Sequence, residues 1–183
     1  KPVLVQEVID YLRVNPEGVY LDLTFGRGGH TAALLDRLTT GRVIALDRDR
    51  SAIEAGHKHF VNESGKLQLM SEKFSSISEI VRELVQGILA DLGISRDQIE
   101  DANRGFSFQR QGPLQMTMDT RQTLTAEEIV NHYDERQLAD LIYQFGEERR
   151  SRRIARAIVR ERPIRNTTHL AEVVEKAVPR APF

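Results

Sequence analysis

Asp22-Leu23-Thr24-Phe25-Gly26-Arg27-Gly28-Gly29-His30 joins a β-rich run, Val19-Tyr20-Leu21-Asp22-Leu23, to an apolar-periodic helix through Ala32, Leu34, Leu35 and Leu38. Glycines between a strand and a helix let the backbone turn sharply and leave no Cβ in a ligand's path. Arg42-Val43-Ile44-Ala45-Leu46-Asp47 reads as a second buried strand. It ends on Asp47, about 20 residues beyond the loop, where a carboxylate can hold ribose hydroxyls.

The pattern continues outward. Residues 50–60 read as a helix, Leu67-Gln68-Leu69-Met70 as a third strand, Ser75 to Val85 as a helix and Ile88 to Leu92 as a fourth strand. Strands separated by helices imply parallel pairing through right-handed crossovers. Near-continuous apolar strands imply a sheet covered on both faces. The expected fold is therefore α/β and Rossmann-like, with strand order 3-2-1-4 and a nucleoside-containing cofactor at the carboxyl edge. Asp91, at the end of the fourth strand, stands beside that edge. There it can accept a hydrogen bond from an amine under attack, or simply cap the following turn.

Two residues bear on the cofactor. A dinucleotide fingerprint carries Gly or Ala at the sixth position counted from Gly26, and here that residue is Thr31. Asp22, just before the loop, would repel a pyrophosphate but welcome a cationic amino-acid moiety. Both favour S-adenosylmethionine over NAD, with an NAD-dependent oxidoreductase as the rival and a purely structural glycine turn as the third reading.

The chain has 183 residues and no cysteine. Disulfides, thiolate metal sites and a cysteine nucleophile are thereby excluded within it. A sulfonium methyl donor calls for no metal. No apolar run approaches the ~20 residues of a membrane span, no signal peptide is visible, and a cytoplasmic setting is the simplest expectation. The formal net charge of −1 hides a basic stretch, Glu147 to Arg165, with eight arginines against three glutamates. Such a stretch suits phosphates and equally suits a helix with a solvated basic face.

Residues 93–123 lose periodicity, yet Phe106, Phe108, Leu114, Met116 and Met118 argue against disorder. The last third reads as helices. Thr125-Ala126-Glu127-Glu128 is a capping box and Asp134-Glu135-Arg136-Gln137 a looser one. Gly146 is placed to close one helix. The arginine-rich helix follows, with Ile154, Ile158 and Val159 on its buried side and Pro163 at its end, and Thr167 or Thr168 caps the last helix. The expected division is a cofactor-binding core over 1–122 and a helical part over 123–183.

The chain resembles the bacterial 16S ribosomal RNA cytosine-N4 methyltransferase family (RsmH/MraW). The resemblance rests on Pro2-Val3-Leu4, Tyr20 to His30, Ala45 to Asp49, Asp91-Leu92-Gly93-Ile94-Ser95, Arg104 to Phe108, Gly112-Pro113-Leu114, Phe145 to Arg149 and Arg153 to Val159, in family order across nearly the whole chain. It departs from the family pattern at Ser95-Arg96-Asp97, Gln111, Gln115 and Thr117, all in the long loop. The resemblance implies S-adenosylmethionine contacts from Gly28, Gly29, His30, Asp47, Phe74, Asp91 and Gln98, with Asp22 and Gly26 completing the loop. It also implies transfer to a cytosine N4 amine, a partner in small-subunit ribosomal RNA or the assembled small subunit, and a substrate-recognising role for the helical part.

On that reading Asp91 is the catalytic residue. Phe106 and Phe108 stack on the target base, and Arg149, Arg153 and Arg156 hold flanking phosphates. The plainer alternatives are a core Phe74, a surface His30, and Phe106 and Phe108 as loop anchors. Family chains continue past Phe183 with strands that complete the sheet. The open edge of strand 4 is expected to be covered by such strands or by a second copy in a homodimer. A catalytically silent RNA-binding or assembly factor that kept the fold is the remaining alternative.

Overall fold

The structure is a computed structural model that describes residues 2–63 and 65–179. It forms two compact units, Lys1–Gly93 and Ile94–Phe183.

The first unit runs α1 (Val5–Leu12), β1 (Val19–Asp22), α2 (Gly29–Leu35), β2 (Arg42–Leu46), α3 (Arg50–His59), β3 (Leu67–Met70), α4 (Ile77–Ile80) and β4 (Gly87–Leu89). The strands make one sheet in the expected order, β3-β2-β1-β4, and every pair is parallel. Tyr20 lies beside Val43, and Asp22 beside Ala45. Alternation along a strand sends Tyr20, Val43 and Ala45 to one face, where they pack with Leu34, Leu35 and Leu38. β2 is buried from Val43 to Leu46 because it is central in the sheet. α1 was not expected from periodicity. Its Val5, Ile9 and Leu12, spaced four and three apart, join the same core.

Two expected elements come out shorter. The helix expected over Ser75 to Val85 is a 3-10 turn, Phe74–Ser76, followed by α4 alone. α4 has no buried residue, so no packing supports its extension. The fourth strand ends at Leu89 rather than Leu92. Leu23 N–H closes the ladder on Leu89 O at 2.9 Å, and Asp91 N–H then donates to Thr24 Oγ1 at 2.7 Å. β4 is one of the two edge strands of the sheet and exposes Ile88.

The second unit holds α5 (Arg96–Glu100), α6 (Ala126–His132), α7 (Glu135–Gly146), α8 (Ser151–Glu161) and α9 (Thr167–Ala177). Its core includes Leu138, Ile154, Ile158 and Val173, and it also takes in Leu114 from the long segment. Thr167 N–H donates to Gly112 O at 3.0 Å, which ties that segment to α9. Residues 94–122 therefore pack with the helices, so the packing boundary differs from the 122/123 boundary expected from the pattern. Caps differ in detail. Glu147, not Gly146, takes the left-handed position after α7 (φ 52°), and Asn166 rather than a threonine caps α9. Asp134 and Gln137 form a reciprocal capping box.

Leu34 and Leu138 are fully enclosed, one in each unit. Leu34→Ala and Leu138→Ala should each cost about 2–5 kcal/mol, read as a lower urea midpoint. Leu84→Ala, at an exposed position, should change stability by no more than about 0.5 kcal/mol.

Candidate active site

The turn between β1 and α2 is tied down by two acids. Asp22 is buried, and its two oxygens accept from Thr24 N–H at 3.1 Å and Thr31 Oγ1–H at 2.7 Å. Asp47 accepts from Gly26 N–H at 2.7 Å and from Asp49 N–H at 2.8 Å. Phe25 N–H donates to Leu46 O at 2.8 Å, so the loop lies across the end of β2. Burial pushes the carboxyl pKa of both acids above the ordinary range, and these hydrogen bonds oppose it. Asp22 was expected to face a cationic ligand. Within the structure its oxygens face the loop they organise.

The glycines divide by role. Gly28 (φ +73°) caps α2, and a Cβ there would stand 2.6 Å from Phe60 Cε2 and 2.8 Å from Phe25. A Cβ at Gly29 would stand 2.6 Å from Pro2 Cγ. Both positions need glycine for packing. Gly26 (φ +53°) is open, since a Cβ there would meet only Thr24 O, at 3.9 Å. A cavity of about 500 Å³ adjoins Gly26 on the α3 side, lined in part by Phe25, Arg27, Ala52, Gly56 and Lys58. His30, Asp47 and Asp91 do not line it.

His30 and Asp91 meet at the other flank of the loop. His30 is buried rather than on the surface. Its Nε2 is 2.8 Å from Val3 O and its Nδ1 is 4.0 Å from Asp91 Oδ2. Because a carbonyl only accepts, Nε2 carries a proton. Asp91 is half exposed and its carboxylate faces His30 from the solvent side. Phe74 follows β3 and is 47% exposed, so it is not a core residue.

An adenosyl sulfonium cofactor fits this set by chemistry. An open glycine admits close backbone approach, two carboxylates suit hydroxyls and a cationic group, and an exposed ring suits a purine. The roles of Thr24, Thr31 and Val3 were not legible beforehand. Their partners lie up to 67 positions away, and only the family resemblance of Pro2-Val3-Leu4 pointed to that segment.

The remaining expected site residues belong to the second unit. Gln98 is buried, and its Oε1 accepts from Ser95 N–H at 3.0 Å while Ser95 Oγ accepts from Gln98 N–H, a capping box at α5. Arg104 lies over the Phe106 ring at 6.0 Å and donates to Thr117 O and Met118 O. Phe108 is exposed and so does not anchor the loop in the core. Arg149, Arg153 and Arg156 are exposed, and Arg156 pairs with Glu135 at 3.3 Å. Glu127, Glu128 and His132 cluster on the exposed face of α6. No helix among the described residues is long and apolar enough to cross a membrane.

A parallel sheet whose first strand feeds a glycine turn, flanked by acids at the ends of β2 and β4, is a Rossmann-like α/β architecture. The chain belongs to the MraW methylase family, whose model matches residues 1–182. Among curated proteins, it is 53% identical to "Ribosomal RNA small subunit methyltransferase H" of Solibacter usitatus over 98% of this chain and 64% of that protein. The same-named protein of Koribacter versatilis is 50% identical over 96% of this chain and 59% of its own length. The chain thus spans about three-fifths of the length of these relatives. A solved rRNA methylase from Streptococcus thermophilus is 22% identical, with a TM-score of 0.41 over 46% of this chain and 51% of that one.

Because burial raises the Asp22 pKa, there is a pH window in which the folded chain keeps a proton that the unfolded chain has lost. Native stability therefore falls as pH climbs through that window. Asp22→Asn is neutral in both states, so its thermal midpoint should gain on the wild type as pH is raised from about 3 to 7. A difference that stays constant with pH would show that the carboxylate bears no such penalty.

Proposed function

We propose that the protein transfers a methyl group from S-adenosylmethionine to the N4 amine of a cytosine in small-subunit ribosomal RNA. The carrying observation is the open Gly26 turn with Asp47 bonded to one flank and Asp91 beside His30 on the other. Family membership and the names of the relatives support the methyl transfer and the RNA class. Action in the cytoplasm, on RNA alone or in the assembled small subunit, belongs to the same reading.

When bound, S-adenosylmethionine supplies a methyl group already activated by a sulfonium. In this reading Asp47 holds ribose hydroxyls with the acceptor sites that Gly26 and Asp49 leave free. Phe74 lies against the adenine, and Asp22 acts indirectly, by keeping the loop in shape. Gly28, Gly29 and His30 shape the cofactor's bed at the start of α2.

Cytosine N4 is a weak nucleophile because its lone pair is shared with the ring. Asp91 accepts a hydrogen bond from the amine, which favours pyramidal nitrogen, and takes up the proton that methylation releases. A stacked cytosine must first be swung out to be reached. Phe106 and Phe108 receive it, and Arg149, Arg153 and Arg156 hold neighbouring phosphates. The helices of 123–183 form the RNA-recognising part.

Unmodified small subunits incubated with labelled S-adenosylmethionine should yield N4-methylcytidine on nucleoside analysis. Asp91→Asn should lower turnover by about 10²–10⁴-fold with an unchanged thermal midpoint. Full turnover in that variant removes Asp91 from the chemistry. A protein that binds ribosomal RNA yet neither binds the cofactor nor transfers methyl is the silent factor instead.

A further inference from the structure

α7 carries an apolar stripe, Leu138, Leu141, Ile142 and Phe145, at helical spacing. The stripe starts inside the core of the second unit, where Leu138 is buried and Ile142 packs against the cluster. It ends in solvent, with Phe145 82% exposed. Among the described residues no ring pair or cation–π contact engages Phe145. A single exposed phenylalanine is ordinary, but this one closes an apolar stripe just before an arginine-rich turn.

Glu147 turns the chain in the left-handed conformation, and Arg149, Arg150, Arg152 and Arg153 follow at once. Arg150 is held by Glu148 at 3.2 Å. Arg149, Arg152 and Arg153 are exposed and have no ion pair among the described residues. Farther along, Arg156 pairs with Glu135, and Arg162 donates to Val130 O and Tyr133 O. Arg160 and Arg165 are exposed and unpaired among the described residues too, so three of the five arginines of 147–165 that lack an ion pair or a side-chain hydrogen bond gather at the start of α8. No acid lies in that helix's first turn, and the macrodipole there is positive. The charges repel one another and the helix end, and a polyanion relieves both.

We infer that Phe145, Arg149, Arg152 and Arg153 form a docking surface for an unpaired RNA segment, the ring stacking on one base and the guanidiniums holding the adjacent phosphates. This rests on the RNA-substrate reading above and names a contact surface for it. Charge alone would suit any polyanion. An exposed ring four residues before the first of these arginines adds the two elements of single-strand binding, a stacking platform and a backbone clamp. A duplex does not fit, because its bases are already stacked and their faces closed to a ring.

The chain has no tryptophan, so F145W carries a lone indole at the place in question. Titration of F145W with a short unpaired RNA at low salt should quench its emission, and the matching duplex should not. Phe145→Ala should weaken binding of that RNA about tenfold to a hundredfold. Arg149→Ala with Arg152→Ala should flatten the log–log salt dependence by about 1.4. Circular dichroism should show all these variants folded, since each changed side chain is exposed.

An unquenched indole, RNA binding indifferent to Phe145→Ala, or quenching by polyglutamate in place of RNA overturns the inference. Methyl transfer to subunits by the unaltered protein separates the two readings. Transfer without Phe145-dependent binding sinks this surface and leaves the proposed reaction. Phe145-dependent RNA binding without transfer does the reverse.

Discussion

The turn from β1 into α2 is held by carboxylates on the ends of two neighbouring strands. Asp22 bonds Thr24 and Thr31 from beneath, and Asp47 bonds Gly26 from the side. An unanchored glycine loop would be free to sample many shapes, because glycine restricts the backbone least. Here a loop with two left-handed glycines is fixed by charge-assisted hydrogen bonds to part-buried and buried carboxylates. The cost is two carboxyl groups whose charged forms are disfavoured by burial. In return Gly26 presents a fixed, open backbone, and Thr24 Oγ1 receives the Asp91 N–H from just beyond β4, the strand paired with β1.

The second unit solves a different problem. Its helices bury one core and leave a basic outer face on α8. Ile154, Ala155 and Ile158 face inward from α8, while Arg152, Arg153, Arg156 and Arg160 face outward. Some of that charge is used structurally, as where Arg162 bonds the carbonyls of Val130 and Tyr133 after α6. The long segment before these helices is ordered by its own polar bonds. Arg104 holds the carbonyls of Thr117 and Met118, Arg121 grips the buried Asp119 through both oxygens, and Leu114 is buried among the helices.

Much of the fold was legible because hydrophobic periodicity is local. The four strands, their order, and α2, α3 and α6 to α9 were readable from apolar spacing, capping residues and glycine placement. Misreadings fell where local pattern and tertiary contact competed. Ser75 to Val85 has helical spacing but little to pack on, so only Ile77–Ile80 stays helical. The left-handed turn after α7 landed on Glu147 instead of Gly146 because the helix ran one residue further. The candidate site was legible as a set of residue types at strand ends, but its internal bonds were not.

By itself, the sequence determined that this is a parallel α/β chain with a glycine turn, strand-end acids and a basic helix, since each of those depends on neighbours within a few positions. Only the tertiary structure decided that Gly28 and Gly29 serve packing while Gly26 stays open, and that His30 is buried between Val3 and Asp91. It also decided that Phe145, at the end of the α7 stripe, stands in solvent. Those outcomes depend on contacts between residues far apart in the chain, where apolar spacing carries no information about which groups will meet.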